Sequence, residues 1–358
     1  MQNDLPTWSL YIQALSAMQQ TPENDLLSWF QVAGIHGRPY IPWDNIEWNS
    51  SAPEVGYCPH SSTLFTTWHR IYLVLLEQIL AGHAQRLAKS YNSTTYQASA
   101  DKFRIPYWDY SLIPSMPDIV NVPQVLIYTP SGLKNVSNPL LRYKFQQFPL
   151  NETLFPPGQS LEGRLTTYNT TVRFPVNGVS DYESINANLG GSSLRPNTYS
   201  VFQSHDYNEM ATGTTSKYSF EYAHNEVHHA IGGFNPMDSG HMGVFAYASF
   251  DPIFFLVHAN TDRLFALWQA INPAPFLTPE IDVTGTFTNP VGANLTVDTP
   301  LTPFTMVDGN AWNSTGAREL VGLGYSYPEI MDWLPLSKDE LAKNVSAAVQ
   351  KLYGPVTK

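Results

Sequence analysis

The chain predicts a mainly α fold with long loops and a few short β-strands, and three observations carry that reading. Residues 64–89 place His69, Leu73, Leu76, Leu80 and Ala84 on one helical stripe, the longest clean amphipathic helix in the chain. Residues 217–232 and 252–271 repeat the helical period, and each carries histidine on its inward face. Residues 273–310 instead alternate apolar and polar side chains between prolines and glycines, the mark of short strands. No fixed-period repeat and no low-complexity tract interrupts the 358 residues, so one domain over 1–358 is expected.

Taken in order, residues 7–19 carry Trp8, Tyr11, Ile12, Leu15 and Met18 at helical spacing, and Thr21-Pro22 stops them. Leu26, Leu27, Phe30 and Val32 predict a second helix, with His36 near its C-terminal end and Gly37 as its cap. Residues 38–57 read as loop. The long helix follows, then a buried turn at 104–111. From 112 to about 216 the chain reads as loop elaborating a helical core. Such long irregular stretches in a compact domain are usually functional rims. Asp251-Pro252 starts the helix 252–271, which places Phe254, His258, Asp262 and Phe265 on one face. A last amphipathic helix, roughly 337–352, precedes Tyr353-Gly354-Pro355.

The totals exclude several functions. Net charge is −11 and the isoelectric point near 5.3, which repels phosphate backbones and anionic membranes. Nucleic acid is therefore not an expected partner. Charged residues are 14%, against roughly 25% in an average globular chain, and hydrophobic residues are 43%, ample for a core. No apolar run reaches the 18 or so residues that would span a bilayer. The single cysteine forms no internal disulfide. Eight Asn-x-Ser/Thr sequons, at Asn49, Asn92, Asn135, Asn151, Asn169, Asn294, Asn313 and Asn344, lead to the expectation of a secreted glycoprotein, with a cytoplasmic chain as the alternative.

The histidines carry the chemistry. His224 and His228 lie four apart on one helical face, a ready pair of metal ligands that His258 can complete. His36, His60 and His69 form a second set of three. Neutral imidazoles with few carboxylates nearby suit copper or zinc, not magnesium or calcium. A zinc-protease helix needs Glu directly after its first histidine, and here Asn225 stands there. A blue-copper site needs Cys as an equatorial ligand, and Cys58 is too close in sequence to His60 for both to bind one ion comfortably. His83 and His205 read as structural or surface residues, and His241 as bonding within its glycine-flanked turn. His229, directly after a ligand, is expected at the mouth of the site.

These residues carry a family resemblance. His60-Ser61-Ser62-Thr63-Leu64-Phe65-Thr66-Thr67-Trp68-His69-Arg70, with Glu77 beyond, resembles the first copper signature of tyrosinases. Asp251-Pro252-Ile253-Phe254-Phe255-Leu256-Val257-His258-Ala259-Asn260-Thr261-Asp262-Arg263 resembles the second. The family often has His-His before Ala-Asn, where this chain has Val257-His258. Cys58-Pro59-His60 is similar to the Cys-x-His of fungal members, in which sulfur and imidazole carbon form a thioether. The resemblance runs from Trp29 to Tyr353.

It implies a four-helix bundle holding two copper ions, copper A on His36, His60 and His69 and copper B on His224, His228 and His258. It also implies dioxygen as co-substrate, ortho-hydroxylation of monophenols to catechols, and oxidation of catechols to o-quinones. Catechol oxidase, o-aminophenol oxidase and a hemocyanin-like oxygen carrier are the alternatives. Glu221 and Asn225 match the pair thought to orient a proton-accepting water beside copper B. Phe245 falls at the family's gate over copper A, and His229 at a position that tunes substrate preference. Asp262, one turn beyond His258, is expected to orient that ligand's ring. The chain passes the Tyr325-Ser326-Tyr327 closing motif and ends soon after Tyr353, resembling the core without the C-terminal lid of many fungal members.

Overall fold

The computed structural model describes residues 1–47, 55–212, 218–233, 239–274 and 276–355. Asn49 and the first residue of the predicted helix 217–232 lie outside them. The protein is mainly helical, with one buried apolar cluster that extends from Trp8 to Tyr353.

Helix Leu5–Gln20 begins where Asp4 accepts a bond from the Thr7 N–H, and it packs along helix Phe65–Ala88. That second helix buries Phe65, Trp68, His69, Tyr72, Leu73, Leu76, Leu80 and Ala84. Helix Ile253–Ile271 is buried on all sides from Ile253 to Trp268, as its near-continuous apolar sequence requires of a central element. Against it lie Phe65–Ala88, Phe220–Gly232 and the closing helix Lys338–Tyr353. The last starts on a capping box, with the Ser337 hydroxyl and the Glu340 carboxylate serving each other's backbone N–H.

Two predicted elements differ. Leu26 and Leu27 are exposed at 38% and 45%, outside the helix; Ser28 caps it, and it spans only Trp29–Gly34. Gly37 is not its cap: a side chain there would lie 2.6 Å from the Ala246 carbonyl oxygen, so close approach explains the glycine.

The stretch 112–216 is also less irregular than predicted. It holds the hairpin Gln124–Thr129 with Gly132–Ser137 and the helices Leu161–Leu165, Tyr182–Gly191, Leu194–Val201 and Tyr207–Ala211. Helices this short show too little of a 3.6-residue period to be read from sequence; Ser160, Asp181 and Asp206 cap three of them with their side chains. Among the described residues three more antiparallel ribbons, each of two strands, flank the helices, two of them within 280–313. A buried pair locks this periphery to the core. Arg173 grips the Asp251 carboxylate at 2.7 and 2.9 Å and donates to the Val120 and Leu140 carbonyls.

Candidate metal centre

Helix ends and helix faces deliver the histidines. His36 follows the short helix Trp29–Gly34, and His69 rides the inner stripe of Phe65–Ala88. His224 and His228 come from Phe220–Gly232 and His258 from Ile253–Ile271, while His60 lies in the loop before Phe65. The structure brings all six together. His36, His60 and His69, with Cys58, form one group of potential metal ligands, and His224, His228 and His258 form another. In each group the ligand atoms lie within 4.8 Å of one another. The groups face each other: the rings of His69 and His258 stack at 4.5 Å, and those of His60 and His224 at 5.8 Å.

Backbone and side-chain oxygens orient the rings from outside. The Nδ1 atoms of His69, His228 and His224 lie 2.7, 2.8 and 3.0 Å from the oxygens of Phe65, Met242 and Asn225. An oxygen that can only accept requires the proton on Nδ1, which leaves each Nε2 as a bare lone pair aimed inward. The Nε2 atoms of His224 and His228 duly converge on that of His258, at 2.9 and 3.3 Å. Aromatic rings hold the rest: Phe254 stacks on His258 at 3.8 Å, and Phe65 contacts His60, His69 and His224.

Burial pulls all six pKa values down, His69 to about 3 and His228 to about 4. Neutral imidazoles whose lone pairs point at one another in a dry interior repel unless a cation sits between them. The donor set therefore fits a soft or borderline metal in each group. Cys58 Sγ sits 3.3 Å from His60 Nδ1 and 3.2 Å from His69 Nε2. Burial, and secondarily Glu221, push its thiol pKa well above the usual range.

Around this floor stand the other predicted residues. Glu221 is buried, and one carboxylate oxygen accepts the Ser61 N–H at 2.6 Å. Asn225, one turn further along, is exposed, as is His229. Phe245 is 37% exposed, and its ring lies 4.7 Å from that of His36 and 4.5 Å from that of His60.

Two expectations need correction. Asp262 does not orient His258: its carboxylate accepts from Arg70 Nε and from the hydroxyls of Tyr325 and Tyr327, each at 2.6 Å. Nor does His241 bond within its own turn, because its Nδ1 accepts the N–H of Val172. Reading the sequence also missed the Met242 and Phe65 carbonyls, since no side-chain pattern encodes a carbonyl's direction.

Two opposed three-histidine groups in a helical core define a dinuclear metal centre with nitrogen ligation. The family model for the common central domain of tyrosinase matches residues 26–271. A tyrosinase of Podospora anserina is 35% identical over 97% of this chain and 63% of its own length. Polyphenol oxidase 2 of Agaricus bisporus is 33% identical with the same coverage. A mushroom tyrosinase, in a crystal holding latent and active forms, superposes with a TM-score of 0.90 at 31% identity, covering 99% of this chain and 94% of that one. The chain thus spans a little under two thirds of the curated relatives it matches. It belongs to the tyrosinase family, whose cofactor is a pair of copper ions.

Proposed function

We propose that the 358 residues act as one oxidoreductase domain. His36, His60 and His69 hold one copper, and His224, His228 and His258 hold the other. Its substrates are small phenols and dioxygen. It hydroxylates monophenols to catechols and oxidises catechols to o-quinones. Bound copper supplies dioxygen binding and electron exchange.

The chain does the remainder. Buried helices fix the imidazoles and exclude water, while the exposed Phe245, His229 and Asn225 would border the entry of a flat ring. Glu221 and Asn225 are four apart on one helical face and flank His224. A water held between the Glu221 carboxylate and the Asn225 amide takes the phenol's proton as it enters. Glu221 is fixed for that task by the Ser61 N–H, and Asn225 by its contact with the His224 ring.

The observation that carries this reading is the Glu221–Asn225 pair beside His224. Tyrosine or tyramine should be oxidised after a lag, and catechol without one. Asn225→Leu should lower the ratio of monophenol to catechol turnover by about a hundredfold, the lower end for a positioned proton acceptor; an unchanged ratio removes the pair from the mechanism. Phe245, packed over His36 and His60, favours a second reading, catechol or o-aminophenol oxidation with the monophenol obstructed. Absence of tyrosine turnover alongside rapid catechol oxidation would select it. Steady quinone production excludes an oxygen carrier.

Two covalent features belong to the same proposal. Cys58 and His60 join as a thioether from Sγ to an imidazole carbon. Two hydrogens leave and the electrons pass to dioxygen, so the tryptic peptide should weigh two hydrogens less. The chain is secreted and glycosylated: Asn92, Asn135, Asn151, Asn169, Asn294 and Asn344 are exposed, and glycosidase treatment of material from its native host should lower its mass.

A further inference from the structure

One buried histidine remains outside the two groups. His241 is fully buried, among the rings of Phe145, Tyr168 and Tyr247. It exchanges two bonds with one residue: its backbone N–H donates to the Val172 carbonyl at 2.9 Å, and the Val172 N–H donates back to its ring Nδ1 at 3.1 Å. The imidazole therefore carries its proton on Nε2 and acts as an acceptor at Nδ1.

That grip fixes a short turn. Gly240 donates to the Gly232 carbonyl at 2.7 Å, and Gly243 donates to Gly240 at 3.0 Å. The turn lies so flat that a side chain on Gly240 would sit 2.4 Å from the Val172 carbonyl oxygen. One on Gly232, at the end of the His224–His228 helix, would reach within 1.9 Å of the Gly243 nitrogen. Between these contacts the Met242 carbonyl accepts the Nδ1 proton of His228 at 2.8 Å.

We propose that His241 is a positioning residue for His228. It clamps the 240–243 turn to Val172, so that the Met242 carbonyl holds His228 in the tautomer whose Nε2 faces His224 and His258. Side-chain acceptors commonly orient metal-bound histidines in this way, and losing one costs roughly 10–100-fold in metal affinity. Here the acceptor is a backbone carbonyl, and the part a carboxylate would play passes to the residue that aims it.

The inference rests on His228 being a copper ligand, and a chelator-competed copper titration separates the two claims. Binding of fewer than two coppers by the wild-type chain defeats the ligand assignment itself. With two bound, His241→Phe keeps the ring's bulk but lacks the acceptor, and should weaken one copper about tenfold or more while sparing the other. His241→Asn places an amide oxygen near the Nδ1 position and should stay within about threefold of wild type. Equal affinity in all three proteins, or equal loss in both variants, overturns the clamp and leaves a packing role. Should the Phe variant not fold, imidazole nitrogen NMR of the wild-type protein decides. An unprotonated His241 Nδ1 beside a protonated His228 Nδ1 supports the clamp, and a proton on His241 Nδ1 refutes it.

Discussion

Asp262 shows what a single carboxylate does beneath the metal centre. One oxygen takes the Arg70 guanidinium and the other takes two tyrosine hydroxyls, and the Arg70 and Asp262 side chains are 0% and 2% exposed. Burial alone would lower the pKa of Arg70; Asp262 more than reverses that and holds it above the ordinary value. Arg70 follows His69 and Asp262 lies one turn from His258, so the pair ties together the two helices that bear those rings. Asp262→Asn strands a buried cation, and breaking such a pair costs about 3–5 kcal/mol. Urea unfolding should register a loss of that order, and a loss under about 1 kcal/mol would show the pair to be marginal. Sequence spacing correctly put Asp262 on the His258 face, because four residues make one turn. It did not reveal the partner, because Arg70 arrives from 192 residues away. Periodicity encodes which face a side chain occupies and not what meets it there.

The same division holds for whole elements. Helices 64–89, 217–232 and 252–271 were legible to within a few residues, since a long apolar stripe has one period and one buried side. Their histidines were legible with them. The short helices between 160 and 211 were not, since five to ten residues carry too little of that period. Glycines that let two elements touch were visible as residues but not as contacts. Gly232→Ala tests such a contact. Alanine favours a helix over glycine by about 1 kcal/mol, yet its methyl would meet the Gly243 nitrogen at 1.9 Å. Overpacking of that kind costs about 1–3 kcal/mol, and here the obstacle is backbone that cannot rotate away. Repulsion should win: the variant should unfold at lower urea and hold copper less tightly, as the 240–243 turn is pushed off the helix. Gly190→Ala is the control, in a helix where a new methyl meets nothing within 4 Å. It should be neutral or gain up to about 1 kcal/mol. Equal stability changes in the two variants would show that the Gly232–Gly243 contact has slack.

At the scale of the molecule, a core built around buried neutral imidazoles makes stability depend on pH, and His241 offers the cleanest view of it because it lies outside both histidine groups. Burial lowers its pKa to about 4, opposed by Asp251. Facing it are the Asp251–Arg173 ion pair and the phenol of Tyr247, whose pKa burial pushes upward. The ring of Tyr168 lies 6.3 Å from the imidazole, at 69° to it. Below about pH 6.5 the unfolded chain protonates this histidine while the folded protein does not, so the unfolded state binds more protons and stability rises with pH. The contribution is complete above pH 6.5 and is lost as pH falls to about 4. Two and a half pKa units correspond to about 3 kcal/mol. Copper-free wild type and His241→Asn, unfolded in urea at a series of pH values, should therefore differ in slope: the wild type loses about 3 kcal/mol more than the variant between pH 6.5 and 4, and no further difference accrues below. Parallel curves would mean that the imidazole is protonated in the folded state, and the Nδ1 acceptor on which the 240–243 turn depends would then not exist at those pH values.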